Sequence, residues 1–141
     1  MFFDRKKYLK ELIAGRGNGL VKIITGVRRC GKSFLLFNIW HNWLLEHGVT
    51  DSHIIEIQLD DFRNRRLRKP DALLDYIDSK VIEDGNPHYI VLDEVQMVED
   101  FVEVILSLTH MRNVDVYVSG SNSRFLSSDV VTEFRGRGDE I

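Results

Sequence analysis

Apolar residues recur along this chain in two rhythms, one helical and one extended, and the rhythms alternate. Leu9, Leu12 and Ile13 form a short apolar face, which predicts a helix over residues 4–14 capped by Asp4. The glycine-rich stretch Gly15-Arg16-Gly17-Asn18-Gly19 breaks it, and Val21-Lys22-Ile23-Ile24-Thr25 predicts a first strand. Leu36, Ile39, Trp40, Trp43 and Leu44 then fall at helical spacing, predicting a helix over residues 32–47 that Gly48 ends. Its two tryptophans read as core packing. Residues 54–59 alternate apolar with polar, as a second strand does. A helix over residues 71–83 follows on Leu74, Ile77 and Val81, with Pro70 at its start. Residues 89–92 read as a third, buried strand. Phe101, Val104, Ile105 and Leu108 mark another helical face, and residues 114–118 a fourth strand. A polar turn at 119–123 leads to a last helical stretch reaching about Phe134. Strands that alternate with helices, and strand runs that are apolar throughout, predict an α/β fold with a mostly parallel sheet.

The bulk properties narrow the setting. A length of 141 residues suits a single domain, and 43% apolar with 29% charged residues is a globular composition. A net charge of −3 argues against wholesale nucleic-acid binding but leaves room for a local basic patch. The single cysteine, Cys30, excludes an internal disulfide and fits a reducing compartment. No run approaches the length of a membrane span, and the N-terminus lacks the order of a signal peptide. The expected location is cytoplasmic, with no membrane partner.

Between the first strand and the second helix stands Gly26-Val27-Arg28-Arg29-Cys30-Gly31-Lys32-Ser33, followed by Phe34. This is the G-x-x-x-x-G-K-[ST] pattern in its strand–loop–helix setting, so residues 26–34 are expected to bind a nucleoside triphosphate. The glycines let backbone N–H groups turn toward phosphate oxygens, and the helix dipole adds positive potential there. Lys32 can reach the outer phosphates, Ser33 can place its hydroxyl on Mg²⁺, and Arg28 and Arg29 add positive charge. The right-handed crossover rule places this loop at the carboxyl edge of the sheet.

About sixty residues on, the third strand ends in Asp93-Glu94. Asp93 can hold Mg²⁺ opposite Ser33, and Glu94 can polarise an attacking water, a division of labour that suits hydrolysis. The simpler alternative is a solvated loop that opens with two acids. If the fourth strand lies between the first and third, the turn at 119–123 falls beside the γ-phosphate. Asn122, or Ser121, could then bond the attacking water or the phosphate, although a helix-capping turn explains the same residues. Arg135 or Arg137 could neutralise transition-state charge, or could pair with Glu133, Asp139 or Glu140. Arg63-Asn64-Arg65-Arg66-Leu67-Arg68-Lys69 carries five positive charges and could touch a nucleic-acid backbone. The run contains no aromatic to stack bases and follows Asp60-Asp61, so a solvated surface segment is the simpler reading.

Taken together, Ile23-Ile24-Thr25-Gly26-Val27-Arg28-Arg29-Cys30-Gly31-Lys32-Ser33, Leu92-Asp93-Glu94-Val95-Gln96 and Gly120-Ser121-Asn122-Ser123-Arg124-Phe125-Leu126-Ser127-Ser128 resemble one family. It is the bacterial and archaeal group of AAA+-type P-loop ATPases whose N-terminal ATPase domain precedes a nuclease-like C-terminal domain. The resemblance runs from about Phe3 to Arg137. It implies a three-layer P-loop NTPase sandwich with sheet order 5-1-4-3-2, and ATP with Mg²⁺ as the ligands. It also implies Lys32 and Ser33 on phosphate and metal, Asp93 on metal, Glu94 activating water, Asn122 as sensor and Arg137 as the family's Gly-Arg arginine. Gln96 would link the acids to the sensor turn.

Two departures stand out. Gly138-Asp139 occupies the place of an apolar fifth strand, and the chain ends at Ile141, where such proteins continue. Residues 1–141 are therefore expected to be a single ATPase core, truncated at its C-terminus, with strand five incomplete. A stub of Glu140-Ile141 would leave the apolar first strand nearly unpaired, so self-association through that edge is expected. The readings from the sequence are a Mg²⁺-dependent ATPase, a non-hydrolysing nucleotide-dependent interaction module, and a nucleic-acid-associated ATPase.

Overall fold

Alternation within the strands builds a sheet with two apolar faces, and each face recruits its own helices. The computed structural model describes residues 5–25, 31–120 and 138–140. Its strands are β1 (Val21–Thr25), β2 (Ile54–Gln58), β3 (His88–Asp93), β4 (Val114–Gly120) and β5 (Gly138–Glu140). They lie in the order β2-β3-β4-β1-β5, which from the other edge is the expected 5-1-4-3-2, and every pairing is parallel.

On one face Val21, Ile23, Ile55, Ile57, Ile90, Leu92, Val116 and Val118 form one layer of the core. Helices α4 (Pro70–Lys80) and α5 (Phe101–Leu108) cover it with Leu73, Ile77, Phe101, Val104, Ile105 and Leu108. All four positions expected on the α5 face are buried. On α4 the buried pair is Leu73 and Ile77, while Leu74 and Val81 are only partly covered. The opposite face presents Ile24, Tyr89, Val91 and Tyr117 to Leu12 of α1 (Arg5–Gly15) and to the helix after the phosphate loop. β3 is buried along its whole length, as a strand covered on both faces must be.

The helix after the phosphate loop is not uniform. It begins as α2 (Lys32–Phe34), widens into a π-helical stretch (Leu35–Trp40) and resumes as α3 (His41–Glu46). Widening shifts the register of an ordinary helix, and Leu35, Leu36, Trp40 and Leu44 all become buried against the sheet. Trp40 is core, as expected. Trp43 stacks on it with ring centroids 5.1 Å apart, and is itself only half-buried.

One strand end is corrected and another is made definite. β4 continues two residues past Val118, so Ser119 and Gly120 belong to the strand rather than to the turn. β5 starts at Gly138 and pairs Gly138, Asp139 and Glu140 with Val21, Lys22 and Ile23. The β1 edge is therefore paired with β5 over three of its five positions, consistent with the short fifth strand that was expected. Ladder hydrogen bonds come from the backbone, so a Gly-Asp-Glu segment supplies them despite its weak strand propensity. The last expected helical stretch lies outside the described residues.

Candidate functional site

The carboxyl ends of β1, β4 and β3 lie side by side, and each delivers one part of a polar cluster. β1 ends at Thr25, whose neighbour across the ladder is Gly120 at the end of β4. The phosphate-loop sequence leaves β1 at this point, and α2 returns from it. Gly31 has φ 101°, a conformation that favours glycine, and its carbonyl accepts the Leu35 N–H at 2.9 Å.

The cluster centres on Asp93, whose residue is 2% exposed. Its Oδ2 accepts the Ser33 hydroxyl at 2.7 Å, joining residues sixty positions apart in the chain. Its Oδ1 accepts the Ser119 hydroxyl in a very short bond. Ser119 Oγ in turn accepts the Glu94 N–H at 3.0 Å. Glu94, 3% exposed, has φ 55° and ψ 52°, a left-handed conformation that is costly for a residue with a side chain. Such strain is of order 1–3 kcal/mol and persists where surrounding contacts hold it. Here the Ser119–Glu94 bond holds the turn, and Gln96 Nε2 donates to Glu94 Oε1 at 2.8 Å. Two buried carboxylates are thereby fixed at successive positions beside a hydroxyl from the phosphate-loop helix.

Ser33, Asp93 and Glu94 are thus brought together as expected, and Gln96 touches Glu94. The expected position of β4 between β1 and β3 also holds. Lys32 is the first residue of α2, and Phe34, its last, is 46% exposed. Gly26, Val27, Arg28, Arg29, Cys30, Ser121, Asn122, Arg135 and Arg137 lie outside the described residues. Sequence reasoning missed Ser119, which binds Asp93 and Glu94 at once. Its one signal was a polar residue directly after an apolar strand run.

Ser33 and Asp93 bring two hard oxygen donors within 2.7 Å of each other, the donor chemistry that suits Mg²⁺. Among the described residues no group of three or more His, Cys, Asp or Glu side chains could by itself hold a metal ion. Residues 63–68 of the basic run lie in a 3-10 segment, Phe62–Arg68, separated from β2 by residues 59–61, and Lys69 caps it. The aromatic that the run itself lacks is supplied by the residue before it. Phe62 is 68% exposed, and the Arg65 guanidinium lies 4.4 Å from its ring centroid. No helix among the described residues is long and apolar enough to cross a membrane.

Comparison with known proteins agrees with this arrangement. The profile of the AAA domain family matches residues 18–141. An uncharacterized protein of Haemophilus influenzae is 30% identical over 138 residues, covering 98% of this chain and 34% of its own length. An uncharacterized protein of Methanocaldococcus jannaschii is 27% identical over 121 residues, covering 83% of this chain and 24% of its own. The chain spans about a third or less of these curated relatives. Among solved structures, C. elegans PCH-2 superposes with a TM-score of 0.63 at 14% identity, over 99% of this chain and 43% of that one. A Thermotoga maritima DNA polymerase III gamma subunit-related protein gives 0.59 at 12%, over 98% and 45%. At such identities these two matches show the fold. The chain belongs to the AAA domain family, and its fold is that of a P-loop ATPase module.

Proposed function

We propose that this chain binds ATP together with Mg²⁺ and hydrolyses it, with residues 1–141 acting as a single ATPase core. The observation that carries the reading is the 2.7 Å contact between Ser33 and Asp93, with Glu94 buried one residue further on. In this reading residues 26–34 cradle the triphosphate and the Lys32 ammonium meets its outer oxygens. Ser33 and Asp93 hold Mg²⁺, which when bound offsets the charge that builds on the phosphates. Glu94 takes a proton from the water that attacks the γ-phosphorus, so the bond to the β–γ bridging oxygen breaks and ADP and phosphate leave. Gln96 fixes the Glu94 carboxylate through Oε1. Ser119 aligns both acids from β4. Asn122, three residues on in the sequence, acts as the sensor of the γ-phosphate, and Arg137 supplies positive charge to the transition state.

The roles separate by mutation. Lys32→Ala abolishes nucleotide binding, whereas Glu94→Gln keeps it and lowers turnover by about 10²–10⁴, the range for loss of a positioned base. Equal loss of binding in both variants contradicts the assignment. Full binding without turnover in the unaltered protein selects a non-hydrolysing interaction module instead.

A further inference from the structure

The segment between β2 and α4 builds a surface that ATP hydrolysis does not use. Its backbone is anchored at several points. Asp61 accepts the Arg63 N–H at 3.0 Å, Asn64 Nδ2 donates to the Gln58 carbonyl at 2.9 Å, and Leu67 is buried in the core. Arg68 Nε donates to the Leu59 carbonyl at 2.9 Å, while the Glu99 N–H donates to the Arg68 carbonyl at 2.9 Å. On this fixed base Phe62 stands exposed, with Arg65 over its ring and bonded to its carbonyl at 3.2 Å.

The charges are not all consumed locally. Arg63 pairs with Asp61 and Lys69 with Glu99, both at the surface. Arg65 and Arg66 are exposed, and neither makes an ion pair among the described residues. An exposed aromatic ring, a guanidinium 4.4 Å from its centroid and the next arginine in sequence offer a base-stacking surface flanked by phosphate-binding charge. A duplex hides the faces of its bases, and an acidic peptide gains nothing from the ring. The platform also stands at the edge of the sheet that carries the candidate nucleotide site. Gln58, at the end of β2, is the ladder partner of Asp93, and the Leu59 N–H donates to the Asp93 carbonyl at 3.1 Å.

We propose that Phe62, Arg65 and Arg66 bind single-stranded nucleic acid, with a base stacked on Phe62–Arg65 and neighbouring phosphates on the arginines. The inference goes beyond the ATPase reading and stands apart from it. Its test is fluorescence anisotropy of a labelled oligo-dT of about 15 nucleotides, within the span of known single-strand sites, at low salt and without nucleotide. Phe62→Ala weakens binding about tenfold, the scale of losing one stacked base, and Phe62→Trp restores it. Because Phe62 is exposed, neither change threatens the fold. Arg66→Ala reduces the slope of log affinity against log salt by about 0.7, the value for one phosphate contact on a single strand. Lys80→Ala, a charge change on α4, leaves binding unaltered. Absence of oligo-dT binding, equal affinity for the corresponding duplex, full displacement by poly-glutamate, or an unchanged affinity in Phe62→Ala would each overturn the proposal. With no nucleotide in the assay, failure of the ATPase reading leaves the result unaffected.

Discussion

Each end of the parallel sheet buries an aspartate, and the two are held differently. At the amino end of the strands, Asp115 meets the ammonium of Lys22, itself wholly buried, at 2.6 Å. Asp115 also accepts the Gly17 N–H at 2.9 Å and the Tyr117 hydroxyl at 2.6 Å, and Lys22 donates to the Leu20 carbonyl at 2.8 Å. Burial and the Asp115 charge push the Tyr117 phenol far up, so it keeps its proton and donates. At the carboxyl end, Asp93 accepts only hydroxyls among the described side chains. One carboxylate is neutralised and pins the Gly17 turn to the sheet. The other has no cationic partner among the described side chains and lies against Ser33 of the helix that follows the phosphate-loop sequence. Similar burial thus goes with an ion pair at one end and, under the proposed function, with a metal site at the other.

Removing a partner should expose that difference. Lys22→Met leaves Asp115 buried without its cation and should cost about 3–5 kcal/mol in urea unfolding, the usual cost of orphaning one member of a buried pair. Nucleotide affinity of the folded fraction should be unaltered. Asp93→Asn, which removes a charge, should change stability by less than about 1 kcal/mol, the scale of a single ordinary hydrogen bond. A loss as large as that of Lys22→Met would erase the distinction.

Ser119→Ala tests the coupling within the carboxyl end. It strips one donor from Asp93 and leaves the Glu94 N–H without its acceptor, at about 1–3 kcal/mol for an unsatisfied buried group. Turnover should fall more than nucleotide affinity, because the Glu94 turn loses its tether. A fall in affinity alone would place Ser119 outside the catalytic geometry.

The smallest effect concerns pH and again lies at the amino end. His88 Nε2 accepts the Ile82 N–H at 2.9 Å and must be unprotonated to do so. Burial first, and the neighbouring His53 second, hold its pKa below the ordinary 6.5. The stability it contributes is complete above about 6.5 and is lost as pH falls through its lowered folded value. Asp84 adds a more acidic step. Its carboxylate accepts the Asn86 N–H and bonds His53, which lowers its pKa to about 2. That contribution disappears as pH falls from about 4, the ordinary aspartate range, toward 2. The urea midpoint should therefore drop modestly between pH 7 and 5.5 in the unaltered protein and less in His88→Gln. An equal drop in both would locate the titration elsewhere.

Much of this arrangement is legible in the sequence because periodicity encodes burial. The α5 face was readable at all four positions, and the apolar strands were readable in number and order of appearance. The phosphate-loop motif and the paired acids on β3 pointed to one another before any contact was known. Ser119 was lost because an apolar run marks where burial ends rather than where strand pairing ends. Its value lies in a contact with Asp93 on the adjacent strand, which no local period records. β5 was expected as an incomplete strand beside β1, and its extent was hard to read because its pairing comes from backbone groups and not from side-chain propensity. The Lys22–Asp115 pair did leave a trace, as opposite charges within two otherwise apolar strands. Their partnership depended on β1 and β4 being neighbours.

The role of Asp93 is tested by equilibrium binding of a fluorescent ATP analogue with and without Mg²⁺, in the unaltered protein, Asp93→Asn and Lys22→Met. Mg²⁺ should enhance binding in the unaltered protein and in folded Lys22→Met, and the enhancement should be lost in Asp93→Asn. Enhancement that survives Asp93→Asn would contradict that role.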